Sequence, residues 1–581
     1  MKKSEHMAAM QTMRATDGAH LLSGKDYLIF LLIMVSCAWL FVSLPPLGLT
    51  SNDEGVRYIQ MKNFTLYGTL PIQYPGQTIG LRPDDVAKHQ GVFIERGGKL
   101  YITHPPFFTY LSSLAYPLVG ERATTFLPLM AAFLSVVILA KTLRLLMQWG
   151  PLYYVLLFGF LLASPVYLYA ISFLEHVPAV CLVLLSLYFL ARYFRMRPAL
   201  LNLCLSASLL SAGIFFRPEV ILLAIPYAVY VSVTLSAQKQ VKKAGAVVAC
   251  FLAPIVLYTL VNNRLYGSTM LLHLLHNSLG FQLSVRQAVL ALGTLLLAGL
   301  LAYMTKKGSE EPLLKDRVYT FIPVLFIPFM LAVSPSSPVS AFFVAFPLVL
   351  FIFFAVSARG EKILSEPMSL GNILFVTVSG FLLLVCWPFA GNTEGNAGYC
   401  LAVIPFIIVL VGHEEKKIVS SKPMIALVLA LLGFSACYSA YTLKTVIWRY
   451  KQYNTERIAF LKAQTMPRDV IICDSQPRLE HGGPLFFERI FVVADSQCQL
   501  SQVVTLLKEK EIGHAYLWAR FRGPSTGNSR SGSGPLVFSS SHGPEDHLSY
   551  VALGSPKARS ARSPSPTHSS CSGGGVAPRL Q

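Results

Sequence analysis

Long apolar runs, roughly the 17–23 residues needed to cross a bilayer, recur along the chain and are parted by short polar segments. They fall near 27–44, 124–146, 151–171, 176–194, 198–216, 218–236, 243–262, 285–305, 317–333, 338–356, 368–389, 398–412 and 422–444. A backbone inside lipid must satisfy its own hydrogen bonds, so runs of this length read as helices. The expected fold class is an all-α polytopic membrane protein with about thirteen transmembrane helices. Residues 1–26 form a cytoplasmic N-terminal segment and 27–444 the multi-span domain.

Charge tests that reading independently. With the N-terminus in the cytoplasm, the inner loops hold Lys141 and Arg144; Arg192, Arg195 and Arg197; Lys239, Lys242 and Lys243; Lys306, Lys307, Lys315 and Arg317; Arg359 and Lys362; Lys416, Lys417 and Lys422. The short outer loops hold only Arg217 and Arg264, beside acids and small residues. This is the positive-inside pattern. It also settles the run Phe107–Val119. The run is short for a span, and counting it as one inverts every later loop. It is therefore expected to lie in the outer interface, and the C-terminus is placed outside the cytoplasm.

Two outer regions stand apart. The loop 45–123 is far longer than its neighbours, and loops of that size usually carry function. It opens with Ser51-Asn52-Asp53-Glu54-Gly55 and a helical stretch to Leu66. Residues 91–102 then read as a hairpin turning at Gly97-Gly98, and His104-Pro105-Pro106 starts the interfacial helix. After the last span, residues 445–519 read as a small extracytoplasmic α/β domain. Its strands fall at 469–474, 489–495 and 514–518, and its helix at 500–512. Cys473 and Cys498 are either a disulfide or, as favoured here, two unpaired small residues. From Arg520 the composition turns Ser-, Gly-, Pro- and Arg-rich, so 520–581 is expected to be a disordered tail without assigned function.

Composition sharpens this picture. The 581 residues are 54% hydrophobic but only 13% charged, about half the charged fraction of soluble domains. The net charge of +19 is accounted for by the inner loops, which excludes a nucleic-acid partner. The 10 cysteines show no zinc spacing.

The chemistry-bearing residues gather on the outer side. Asp53 and Glu54 are adjacent acids after the first span. Either Ser51 and Glu54 form a helix capping box, or Asp53 is a general base at the membrane surface. Glu175 and His176 sit in a tight outer turn, as a helix N-terminus or as ligands for a divalent metal ion or a donor phosphate. Arg217-Pro218-Glu219 occupies another outer turn. Arg217 is suited to grip a phosphate, or it pairs with Glu219 or a lipid headgroup. Arg264, His273 and His276 follow in the loop 262–284. His89, His104 and Tyr101 belong to the long first loop, and for these histidines surface and turn roles are the plainer reading.

Taken in order, these pieces resemble the GT-C superfamily of glycosyltransferases, the protein O-mannosyltransferases and lipid A aminoarabinose transferases above all. The likeness covers residues 27–270, and the later spans by topology alone. It rests on the Asp53-Glu54 pair, the Gly97-Gly98 hairpin leading to His104-Pro105-Pro106, the Phe216-Arg217-Pro218-Glu219 junction, and Asn263 to Gly267. A late Gly-Pro-Arg-Tyr-like stretch of many relatives reads here Asn396-Ala397-Gly398-Tyr399, without the Arg.

The resemblance implies a GT-C-like enzyme of a bacterial inner membrane. Its donor would be a polyprenyl-phosphate sugar and its acceptor a hydroxyl on a lipid, protein or glycan. Asp53, beside Glu54, would be the base of an inverting transfer. Arg217, Glu219 and Arg264 would meet the donor phosphate, Glu175 and His176 a metal, and His104 and Tyr101 the acceptor side. The rival expectation is a multi-span transporter or lipid-linked-sugar flippase. No internal repeat supports that rival, and the acids gather at the outer face.

Overall fold

The computed structural model describes residues 23–81, 93–148, 150–196, 198–266, 345–350, 368–386, 397–494, 496–519, 538–542 and 547–553. The spans expected at 285–305 and 317–333, that at 338–356 apart from 345–350, and His89, His273 and His276 lie outside them. The chain divides into two compact units: Met1–Thr50 with Thr103–Gln452, and Ser51–Ile102 with Tyr453–Gln581. The long outer loop was expected to belong wholly to the membrane domain. Its middle instead folds with the C-terminal α/β region.

The first unit is helical. Among the described residues six helices are long and apolar enough to cross a membrane: Gly24–Ser43, Pro106–Leu146, His176–Arg195, Val220–Ala237, Val241–Leu265 and Lys422–Gln464, the last of which runs on past the unit's boundary. Shorter apolar helices occupy Pro151–Leu162, Leu200–Phe215, Leu370–Leu382 and Cys400–His413. Within Pro106–Leu146 the chain breaks after Val119. Gly120 takes φ 60°, and one 3-10 turn, Gly120–Arg122, leads into Ala123–Leu146. The break falls where the expected interfacial piece was to end.

Polar contacts join helix ends in two sets. In one, Asp26 closes a capping box with Ser23 at the start of the first helix. Asp26 is fully buried, pairs with Arg144, and accepts from Tyr153 Oη at 3.1 Å. Arg144 Nε also donates to Tyr153 Oη at 3.2 Å. Further round, the Gln148 N–H donates to Glu415 Oε2 at 2.7 Å. In the other set, Thr124 donates to the Pro46 carbonyl at 3.1 Å, Lys451 Nζ to that of Gly48 at 2.8 Å, and Arg217 Nη1 to Glu175 at 2.9 Å. Each contact joins ends that the charge alternation assigns to one face. Between the ends, Ser186 donates to Ser206 O at 2.8 Å and Tyr227 Oη to Ser206 Oγ at 2.9 Å. Buried hydroxyl bridges of this kind fasten helices where no hydrophobic force discriminates between lipid and protein.

The second unit is α/β. Strands β1 (Phe93–Arg96) and β2 (Lys99–Ile102) form the hairpin, pairing Phe93 with Ile102 and Arg96 with Lys99. Its turn needs two left-handed residues, and Gly97 and Gly98 supply φ 57° and 71° without a Cβ penalty. A five-stranded sheet runs β4-β3-β5-β7-β6, with β3 Val470–Cys473, β4 Ile490–Val493, β5 His514–Ala519, β6 Phe538–His542 and β7 His547–Ala552. The first three in space are parallel, and β7 and β6 are antiparallel additions. Every residue of β3 and β4 is buried, as parallel strands covered on both faces require.

Two expectations change here. The tail is not wholly unstructured, because β6 and β7 lie within it. Leu548, Val551 and Leu553 are buried, and β7 pairs along the whole of β5. These few apolar residues are lost in an average over a polar tail, yet they cover an otherwise open strand edge. Second, Cys473 is buried and outside any disulfide, as favoured, while Cys498 is disulfide-bonded instead of unpaired, so the two do not pair with each other.

Candidate functional site

In the α/β unit the acidic pair opens the helix Asn52–Tyr67. Ser51 caps it, its hydroxyl accepting the Glu54 N–H at 3.3 Å, which is one half of the anticipated capping box. The two acids then part company. Successive residues on a helix point about 100° apart. Glu54 is fully buried, while the Asp53 side chain is 49% exposed. Arg57, one turn on, is buried. Its Nη1 lies 3.6 Å from Asp53 Oδ2 and donates to the Asp53 carbonyl at 2.9 Å. Asp53 is thus an accessible carboxylate on a capped helix terminus, with a guanidinium fixed beside it.

What seats that helix is a close backbone approach. Gly55 lies against the backbone of Glu480, and Gly483 against the backbone of Gly55. A Cβ on Gly55 would lie 1.8 Å from the Glu480 carbonyl oxygen, and one on Gly483 would lie 2.7 Å from that of Gly55. Helix Gln476–His481 follows β3 directly, so the acidic pair rests on the crossover of the parallel sheet. An aromatic cluster extends the core: Phe486 stacks on Phe491 and Phe93, and Tyr74 Oη donates to the Phe491 carbonyl at 2.9 Å. Tyr101 sits in β2 opposite Ile94, half-buried.

In the membrane unit the structure brings together Glu175, Arg217 and Glu219. Arg217 Nη1 is 2.9 Å from Glu175 Oε1, and its Nη2 is paired with Glu219 Oε1. All three side chains are largely buried, at 13%, 3% and 10% exposure for Arg217, Glu175 and Glu219. One guanidinium therefore serves two carboxylates, and the cluster carries a net negative charge when both are ionised. Glu219 Oε2 has no hydrogen-bond partner among the described residues. Aromatic rings surround the triad's neighbours: Phe107 meets Phe215 and Phe216 at 6.0 and 5.2 Å, and Tyr258 meets Phe215 at 5.4 Å.

The pairing of Arg217 with Glu219, one of the readings open in sequence, is present here. A phosphate approaching the guanidinium meets two acids already in place, so Arg217 is poorly suited to bind an anion alone. Arg264, in the last turn of Val241–Tyr266, is exposed and has no ion-pair partner among the described residues. His104 is half-buried just before the helix Pro106–Val119.

Glu175 and His176 do not make a metal centre from the described residues. Glu175 is engaged by Arg217, the His176 ring packs on Tyr169 at 4.5 Å, and no group of three or more His, Cys, Asp or Glu able to hold a metal occurs among those residues. Zinc needs at least three protein ligands. The sequence missed Asp26–Arg144 and Glu175–Arg217, because nothing in spacing links partners 118 or 42 positions apart. The Gly55–Gly483 approach was equally hidden, although a glycine directly after an acidic pair was its one visible trace.

No protein-family model matches the chain, and no curated protein matches it. A solved structure shares its fold, and others align at lower similarity. ArnT from Cupriavidus metallidurans, bound to undecaprenyl phosphate, aligns over 92% of this chain and 100% of its own at 12% identity, with a TM-score of 0.51. The same enzyme in the apo state aligns over 92% and 100% at 13% identity and TM-score 0.47. The archaeal oligosaccharyltransferase AglB from Archaeoglobus fulgidus, in complex with an inhibitory peptide and a dolichol-phosphate, aligns over 85% of this chain and 70% of its own at 12% identity and TM-score 0.44. ArnT and AglB are both GT-C superfamily glycosyltransferases.

Proposed function

We propose that this chain is an integral membrane glycosyltransferase that moves a sugar from a polyprenyl-phosphate donor to a hydroxyl acceptor at the extracytoplasmic face. The observation that carries the reading is the fold shared with the whole of an ArnT chain bound to undecaprenyl phosphate. The exposed Asp53 on its capped helix adds the chemistry. In this reading the acceptor hydroxyl gives its proton to Asp53 and attacks the anomeric carbon with inversion, and the lipid phosphate departs with the bonding electrons. Charge developing on that phosphate needs a cation. Arg264 is the candidate for this role, because its charge is not shared with acids among the described residues. Arg217 acts as a positioning residue that holds Glu175 and Glu219. Glu54, buried behind Asp53, anchors the helix terminus.

Membrane localisation follows from the chemistry of the donor. A polyprenyl chain stays in the bilayer, so its enzyme must reach it there, while the acceptor arrives from outside. The test is Asp53→Asn in the full chain, reconstituted with a polyprenyl-phosphate sugar and a hydroxyl acceptor. Loss of a general base is expected to lower kcat by roughly 10²–10⁴-fold with little change in thermal stability, since the side chain is half exposed. Transfer at the wild-type rate refutes Asp53 as base. Movement of the lipid-linked sugar across the bilayer without transfer favours a flippase.

A further inference from the structure

A cavity of about 300 Å³ lies at the end of the membrane unit remote from Glu175. The helix His176–Arg195 carries Glu175 at its start and Arg195 at its end, some 30 Å away at 1.5 Å per residue. Four chain segments meet at the cavity: Gln148 beyond the helix Ala123–Leu146, Arg195, Ser369 with Asn372 at the start of Leu370–Cys386, and residues 413–417. All four belong to the face that the positive-inside pattern assigns to the cytoplasm.

The charges lining the cavity are unequally engaged. Glu414 pairs with Lys417 at 2.8 Å, and Glu415 accepts the Gln148 N–H at 2.7 Å. Both acids are buried, whereas Arg195 and Lys416 are exposed and have no ion-pair partner among the described residues. The cavity thus offers two exposed cations, Arg195 and Lys416, the latter close enough to Glu415 to interact with its charge, beside the buried Asn372. Guanidinium and ammonium beside amide and hydroxyl donors suit a phosphate ester. Basic pockets between spanning helices on the cytoplasmic side take anionic headgroups.

We infer that this cavity binds a phosphate ester at the cytoplasmic face, held by Arg195 and Lys416, with an anionic phospholipid headgroup as its source. The site is separate from the proposed transfer chemistry and stands whether or not that reading holds.

The test uses the full chain in nanodiscs of phosphatidylcholine, with and without phosphatidylglycerol. Retained lipid is counted by native mass spectrometry and Tm is measured alongside. Phosphatidylglycerol is expected to stay bound to the wild type and raise its Tm. The double variant Arg195→Ala/Lys416→Ala should lose retention by roughly 10–30-fold, at about one kcal/mol for each cation removed. Its Tm in pure phosphatidylcholine should match the wild type, which reports an intact fold. Lys242→Ala/Lys243→Ala, in a different basic loop, should retain lipid normally. A Tm rise with inorganic phosphate in phosphatidylcholine discs, abolished by the Arg195/Lys416 variant alone, assigns the same phosphate site to a soluble ester. Equal retention by the Arg195/Lys416 variant and the wild type, or equal loss in the Lys242/Lys243 control, overturns the site.

Discussion

Replacing Gly55 with Ala adds one methyl group to the helix that carries Asp53, and the structure predicts its cost. The new Cβ would stand 1.8 Å from the Glu480 carbonyl oxygen and 2.6 Å from its carbonyl carbon, where real Cβ atoms keep at least 3.0 Å. Both atoms are backbone, so no rotamer relieves the clash, and the helix must retreat by more than an ångström. Overpacking of this kind costs about 1–3 kcal/mol. Opposing it, Ala is the better helix former by roughly 1 kcal/mol. Helix propensity alone therefore predicts stabilisation, and the contact predicts net destabilisation of up to about 2 kcal/mol. Thermal unfolding of the full chain in detergent, with hydrogen exchange of amides 52–67, measures the balance. Gly245→Ala serves as the control, since a Cβ there meets nothing within 4 Å. Gly483→Ala probes the same approach from the other side. An unchanged or raised Tm for Gly55→Ala, with unchanged exchange, refutes the reasoning.

The other expectations concern charge and backbone. Arg217→Ala strands two buried carboxylates and should cost about 3–5 kcal/mol by thermal unfolding, whereas Glu219→Gln leaves Arg217 paired with Glu175 and should cost much less. Gly98→Ala meets no neighbour, but its φ of 71° should make it destabilising by about 1–2 kcal/mol, read as a lowered Tm. Burial raises the Glu415 carboxyl above its ordinary 4.5, so the folded chain holds a proton there that the unfolded chain releases. Stability should therefore fall as pH rises from 4.5 through the raised value, and Glu415→Gln should flatten that slope in a pH series of unfolding midpoints.

Features that repeat or punctuate locally were legible in the sequence. Among the described residues apolar length located the long helices, and paired glycines located the hairpin. The β-branched runs at Val470–Cys473 and Ile490–Val493 located the parallel strands, because such strands need apolar residues on both faces. The basic loops went further, sorting helix ends into two groups that the ion pairs and hydrogen bonds of the membrane unit also join. Illegible features were those set by contacts between distant positions. The tail strand β7 escaped because three apolar residues in a polar segment form no periodic signal. For Arg217 the pairing with Glu219 was one of the readings open in sequence, because Glu219 lies two positions away, while the second partner Glu175 was not visible.

The acidic pair shows how far a local pattern reaches. In sequence the stretch reads either as a capping box of Ser51 and Glu54 or as a catalytic acid at Asp53, and the structure sets the two acidic side chains apart. Ser51 does cap the helix, and Glu54 turns inward, which leaves Asp53 as the reachable carboxylate. The proposed mechanism needs Asp53 held within about half an ångström of its working position, and a loop end alone does not provide that. Here the support comes from residues more than four hundred positions away, through Gly55 against Glu480 and through the crossover of a parallel sheet. The C-terminal α/β region is therefore part of the unit that holds Asp53. It forms the foundation on which the outer-loop acid stands, and this accounts for a folded unit assembled from the middle of one loop and the end of the chain.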